Sequence, residues 1–290
     1  MTFLNLFLSF AVLVRILSNS FSNVFQKKLA EIGFNPMLIN FVMYAGLSLL
    51  SLPVILRLNF YEISGCFWLY SVLGGLFGAL GNSYLIKALK NGELSVLGPI
   101  NAYKSVVAMV IGIFLLNEIP SFIGIFGVLL IIIGSYIVFD TQQEGFSLSL
   151  FKRADIRYRF YALFFTAIEA LCIKNVINES NVYISFAMWC LFGMFFCWIF
   201  SFNNMKSNKK TTKKSILYLL MVVICMGIMQ LSTNYVFSHL QVSYGLALFQ
   251  LSAIISVLLG WRLFNECNIS KKLFGTAIMI LGAIIIILYK

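Results

Sequence analysis

Ten times between residues 3 and 289 the chain carries an apolar run long enough to cross a lipid bilayer. The runs fall at 3–25, 36–57, 66–88, 93–115, 119–139, 158–178, 181–202, 215–239, 241–264 and 269–289. A crossing needs about 20 mostly apolar residues in an α-helix, so the chain is predicted to be an all-α integral membrane protein of ten transmembrane helices. Composition agrees: 61% of residues are apolar and 11% charged, against about 45–50% and about 25% in soluble domains. What remains is short connections and two polar linkers, 140–157 and 203–214. Catalysis outside the membrane therefore has no room.

A second feature organises the ten spans. From Gly112 the chain reads Gly112, Asn117, Glu118, Gly127, Gly134, and from Gly260 it reads Gly260, Asn265, Glu266, Gly275, Gly282. Each pair lies 148 residues apart, so the two copies align without a gap. The expected organisation is a first five-helix repeat over 1–139, a polar linker over 140–157 and a second repeat over 158–290. Internal duplication is a common plan among transporters, whose substrate sites lie between the halves near the bilayer midplane.

Several segments invite other readings. The N-terminal stretch has no positively charged n-region and is interrupted by Arg15, so it is expected to be the first span, not a cleaved signal. The six cysteines show no metal-ligand or C-x-x-C spacing, and they are expected to be small core residues with no metal or cofactor. The net charge of +11 comes from Lys and Arg in the connections, where membrane lipids and topology explain it, so nucleic acid is not an expected partner. These residues concentrate in the odd-numbered connections. The even connections and the termini carry only Arg57, Lys174 and Lys290. By the positive-inside rule the odd connections are cytoplasmic and both termini outside.

Polar groups inside the runs are the candidate functional residues, because an ionisable side chain at the bilayer centre costs at least about 2.5–3.5 kcal/mol. Span 1 places Arg15, Ser18, Asn19, Ser22, Asn23 and Gln26 on one helical face, which must meet protein or a water-filled cavity. Span 3 carries Gly74, Gly75, Gly78 and Gly81, read as helix-packing positions, followed by Asn82. Span 4 brings Pro99, Asn101 and Lys104. Lys104 is too deep to snorkel, so it either pairs with a carboxylate or meets a negatively charged ligand. Glu169 of span 6 is the carboxylate well inside a span. It is the natural counter-ion for Arg15 or Lys104, a role favoured over that of proton carrier. Gln230, Asn234 and Gln250 are hydrogen-bonding candidates in spans 8 and 9. Glu118 and Glu266 are read as turn and helix-end residues. The expected substrate-binding set is thus Arg15, Asn19, Asn82, Asn101, Lys104, Glu169, Gln230, Asn234 and Gln250, with no catalytic residue.

Ala88-Leu89 after span 3, Gly98-Pro99-Ile100 in span 4 and the two Asn-Glu, Gly-x6-Gly copies resemble the drug/metabolite transporter superfamily, especially its ten-span EamA-like members. The resemblance covers the whole chain. It implies two five-helix repeats of inverted orientation, with spans 1, 3, 4, 6, 8 and 9 around a central cavity that alternates its access. It implies a bacterial plasma membrane location, although similar bacterial proteins usually keep their termini in the cytoplasm. Lys104 is similar to a lysine of the sugar-phosphate and nucleotide-sugar branches, but the matching region near Ser252 and Ala253 lacks their basic pair. The favoured function is a secondary transporter, in the exporting direction, of a small polar metabolite such as an amino acid. No P-loop is present, and proton coupling would fall to Glu169. The alternatives are a lipid or lipid-linked-sugar flippase and a sugar-phosphate type exchanger. An enzyme is not expected, since the spans hold no H-E-x-x-H or G-x-S-x-G motif.

Overall fold

The computed structural model describes residues 3–56, 64–107, 110, 121–141, 148–201 and 212–288. Among them the regular structure is entirely helical, and nine helical stretches are long and apolar enough to cross a membrane, one of them, Val242–Phe264, made of two shorter helices in line. In chain order these elements are α1 (Phe3–Ile32), α2 (Pro36–Ile55), α3 (Gly65–Asn91), the short α4 (Leu94–Leu97), α5 (Phe122–Phe139), α6 (Ala154–Glu179), α7 (Val182–Ser201), α8 (Lys213–His239), α9 (Val242–Phe249), α10 (Ser252–Phe264) and α11 (Ile269–Leu288). Several start where the sequence supplies a capping oxygen: Asn35 before α2, Ser64 before α3, Ser121 before α5, and a Thr212–Ser215 capping box at α8.

Two expected spans are not single rods. Span 4 is α4, then a 3-10 turn over Pro99–Ala102, then helix again from Tyr103 to Val107. Apart from Val110 the rest of this span lies outside the described residues, as do Gly112, Asn117 and Glu118 of the first motif copy. Span 9 breaks in the same way, between α9 and α10, at Gln250 and Leu251. Leu94 and Val242, the first residues of α4 and α9, are 148 residues apart, so each repeat carries a discontinuous helix at matching places.

The packing obeys the same two-fold relation. The closest pairings are α1 with α8, α3 with α6, α2 with α7, and α5 with α11. Counted within repeats, this is first against third twice over, second against second, and fifth against fifth. The direction is fixed by the glycines of the repeated motif. A Cβ built on Gly127 would lie 2.7 Å from the Gly282 carbonyl oxygen, and one on Gly134 would lie 2.6 Å from that of Gly275. The earlier glycine of each helix thus meets the later one of the other, so α5 and α11 run antiparallel and the repeats are inverted. Gly-x6-Gly is the close-approach surface of the two fifth spans.

The odd-numbered connections gather at one end. Lys27 donates to the Gly92 carbonyl at 2.8 Å, and Lys271 pairs with Asp140. At the other end Lys174 donates to Phe237 and Leu240 carbonyls. Gly92 and Leu240 are the C-caps of α3 and α8, so one lysine from each repeat closes a third-span helix end, favourably placed against its dipole. Glu62, Glu144 and the basic run at 206–210 fall outside the described residues.

Gly134→Ala would force a Cβ against the Gly275 backbone, and overpacking of this kind costs about 1–3 kcal/mol. The melting temperature in detergent is expected to fall, while Gly65→Ala, whose Cβ would meet nothing within 4 Å, leaves it unchanged.

Candidate functional site

The break in span 4 decides where the polar side chains converge. Stopping α4 at Leu97 frees backbone carbonyls inside the bundle, and they need donors. Arg159 of α6 supplies one: its Nε donates to the Leu97 carbonyl at 2.8 Å and its Nη2 to Asn101 Oδ1 at 3.0 Å. Asn101 in turn donates to Gln250 Oε1 at 3.1 Å, at the break in span 9. The two interruptions are therefore tied together by an Arg159–Asn101–Gln250 chain. Nearby, Ser20 Oγ reaches the Ser252 carbonyl at 3.2 Å.

Between the broken helices and α1, α3, α6 and α8 lies a central cavity of about 90 Å³. Seven of the nine candidate residues line it: Arg15, Asn19, Asn82, Asn101, Lys104, Glu169 and Gln230. Asn234 and Gln250 do not. Asn234 is fully buried, accepts from Gln230 at 3.0 Å and donates to the Val182 carbonyl at 3.2 Å. Gln250 stands behind Asn101. Both are supports for residues that face the cavity. Thr233 and Ser252 also line the cavity, as does Asn23 from the span 1 stripe.

Arg159 is the residue that sequence reasoning missed. Standing near the start of its apolar run with Arg157, it reads as a loop charge setting topology. In the fold it is buried against the cavity. The signal available was its place: two residues inside the predicted span 6, on a helix expected to line the cavity.

The charges are held apart. Glu169 makes no ion pair with Arg15 or Lys104 among the described residues. Its Oε1 accepts the Trp189 indole N–H at 2.6 Å instead. Gly78 leaves the room for this contact, since a Cβ there would lie 2.6 Å from Glu169 Oε1 and 2.7 Å from Trp189 Nε1. The ring of Trp189 packs on Tyr44, centroids 4.7 Å apart, and Asn82 donates to the Tyr44 hydroxyl at 3.1 Å. Arg15 stacks over the Phe249 ring at 3.9 Å and reaches Thr233 Oγ1 at 3.4 Å, while its Nη1 is buried without a partner. Lys104 is buried and makes no hydrogen bond or ion pair among the described residues. The expected static ion pair of Glu169 is therefore absent among the described residues, where its recorded partner is the Trp189 indole.

Glu266 ends a turn, as expected, but its carboxylate acts on another helix. Asn265 takes the left-handed conformation, φ 53°, which Asn tolerates. Glu266 then folds back over Gly260, where any Cβ would meet its Oε2. Oε1 and Oε2 accept the Leu94 and Ser95 amides at 2.7 and 2.8 Å, and Lys27 bonds Oε1 at 3.0 Å. The second repeat's motif thus caps the first repeat's broken helix. Beside it, Lys272 is almost fully buried against Glu93 and Ser95. Burial pushes the Glu266 carboxyl up, but Lys27 and the Ser95 hydrogen bonds outweigh it and hold the group below its ordinary value.

The sequence profile of the EamA-like transporter family matches residues 6–140 and 157–288. One solved crystal structure superposes with a TM-score of 0.67 at 13% identity, over 96% of this chain and 95% of the other; that likeness shows the fold. No curated protein matches the sequence.

Because Glu266 has a lowered folded pKa, its contribution stands in full above the ordinary carboxylate value of 4.5 and fades as pH falls through the lowered one. Glu266→Gln is expected to cost about 3 kcal/mol near neutrality, leaving the buried Lys27 charge without its carboxylate. Thermal melts at falling pH should show the gap between variant and wild type closing.

Proposed function

The chain belongs to the EamA-like transporter family, and we propose that it is a secondary transporter exporting a small polar metabolite, such as an amino acid, by alternating access. The cavity carries this reading: Arg15, Lys104 and Glu169 line one space inside the bundle beside two discontinuous helices. Transporters commonly build their midplane sites from such interruptions. Members of the family are transporters, not enzymes.

In this mechanism Arg15 and Lys104 meet a substrate carboxylate. Both have binding capacity to spare, since Arg15 Nη1 and the Lys104 ammonium are unpartnered among the described residues. Glu169 meets an ammonium or carries the coupled proton. Asn19, Asn82 and Gln230 orient the remainder. Arg159 and Asn101 keep the two breaks in register, so that the site moves as a unit while the surrounding helices rock.

At the odd end Lys27–Glu266 and Lys272–Glu93 link the two repeats. Opening toward that side, which the charge distribution makes cytoplasmic, requires those pairs to part. The inverted repeat supplies an equivalent closure by exchanging the roles of the two halves. A plasma membrane location suits this arrangement.

Purified protein screened against metabolites by thermal shift should be stabilised by its substrate. A ligand at 100 times its dissociation constant adds about 2.7 kcal/mol to the folded state. Lys104→Ala is expected to abolish the shift given by a carboxylate-bearing ligand, and Glu169→Gln the shift given by an ammonium-bearing one. Stabilisation by lipid headgroup analogues alone would replace this reading with a flippase.

A further inference from the structure

The charges around the cavity do not balance, and for a transporter that imbalance limits the substrate. Three cations, Arg15, Lys104 and Arg159, line the cavity with one carboxylate, Glu169. Among the described residues the lining therefore carries a formal surplus of two positive charges. A neutral amino acid brings one positive and one negative group and leaves that surplus standing among buried side chains, where like charges repel more strongly than in water. A substrate with two carboxylates cancels it, or halves it where an ammonium is also present.

Hydrogen bonding points the same way. Arg15 Nη1 is a buried donor with no acceptor, and Lys104 has no hydrogen-bond or ion-pair partner among the described residues. Two carbonyl-type oxygens near the site are already taken: the Leu97 carbonyl and Asn101 Oδ1 both accept from Arg159. Glu169 has given one oxygen to Trp189. Arg15 and Lys104 thus offer charged donors that no protein group uses, the complement of a ligand's carboxylate oxygens.

Size supplies the third constraint. By a measure in which about 10–15 Å³ holds one water, 90 Å³ accommodates roughly six to nine non-hydrogen atoms. We infer that the cavity takes a small dicarboxylate, a substrate class that rests on the transporter reading: two carboxylates on a skeleton of about four carbons, with or without an ammonium. Lys104 and Arg15 contact one carboxylate directly, and the free face of Arg159 meets the other. Where an ammonium is present, Glu169 receives it.

The test uses the full chain in proteoliposomes, with uptake of labelled succinate, aspartate and alanine and competition among them. Succinate or aspartate is expected to enter, with alanine a weak competitor. Lys104→Met removes an ammonium that holds no protein group, so its melting temperature should match the wild type while diacid binding weakens about ten- to a hundredfold. In Glu169→Gln, a larger loss for aspartate than for succinate identifies an acidic amino acid, and an equal response a plain diacid; both uphold the inference. Alanine uptake that neither diacid inhibits would overturn it and leave the metabolite-transporter reading standing. Competition by glycerol phosphate where both diacids fail would overturn it as well. Failure of every solute to enter or bind would remove both readings.

Discussion

A helix interrupted inside a bilayer strands backbone amides and carbonyls where water cannot reach them, and each must find a partner within the protein. The architecture around this cavity is an answer to that constraint. Arg159 holds the carbonyl at the end of α4, Glu266 holds the amides at its start, and Asn101 links the break in span 4 to the one in span 9 through Gln250. Each partner comes from a distant part of the chain. The discontinuous helices therefore exist only in the assembled fold, and the cavity they border takes one of its charges, Arg159, from the groups that stabilise them.

Inverted duplication explains why these arrangements come in related pairs. Gly127 against Gly282 and Gly134 against Gly275 are one contact written twice, as are the lysines that close α3 and α8. The symmetry is not carried into the cavity. Lys104 of the first repeat corresponds, 148 residues on, to Ser252 of the second, and Arg159 and Arg15 supply positive charge from the first helix of each half. A symmetric scaffold thus holds an asymmetric site.

The candidate residues were legible in proportion to how abnormal they look in apolar surroundings. Arg15, Lys104 and Glu169 stand out because burying a charge in a long hydrophobic run is costly wherever the helix goes. Arg159 does not stand out, since near the edge of a run the same side chain can reach water. Asn234 and Gln230 share a helical face as their spacing predicts, yet they bond to each other and only Gln230 faces the cavity. Periodicity identifies a face without saying which member of it meets a neighbour and which meets open space. Glu266 was recognisable as a helix-end group, but not as the cap of a helix in the other repeat.

Local and repeating properties were decided by the sequence alone. Apolar runs of bilayer length require helices, the 148-residue repeat requires two related halves, and buried ionisable groups mark where those halves must enclose something polar. Tertiary structure alone decided the rest: that α5 and α11 cross through their glycines, that Glu169 bonds Trp189 in place of a cation, and that Arg159 turns inward to a broken helix. The physical reason is range. Hydropathy and helical period act over a few turns of one segment, whereas which donor meets which stranded carbonyl depends on segments brought together only by packing.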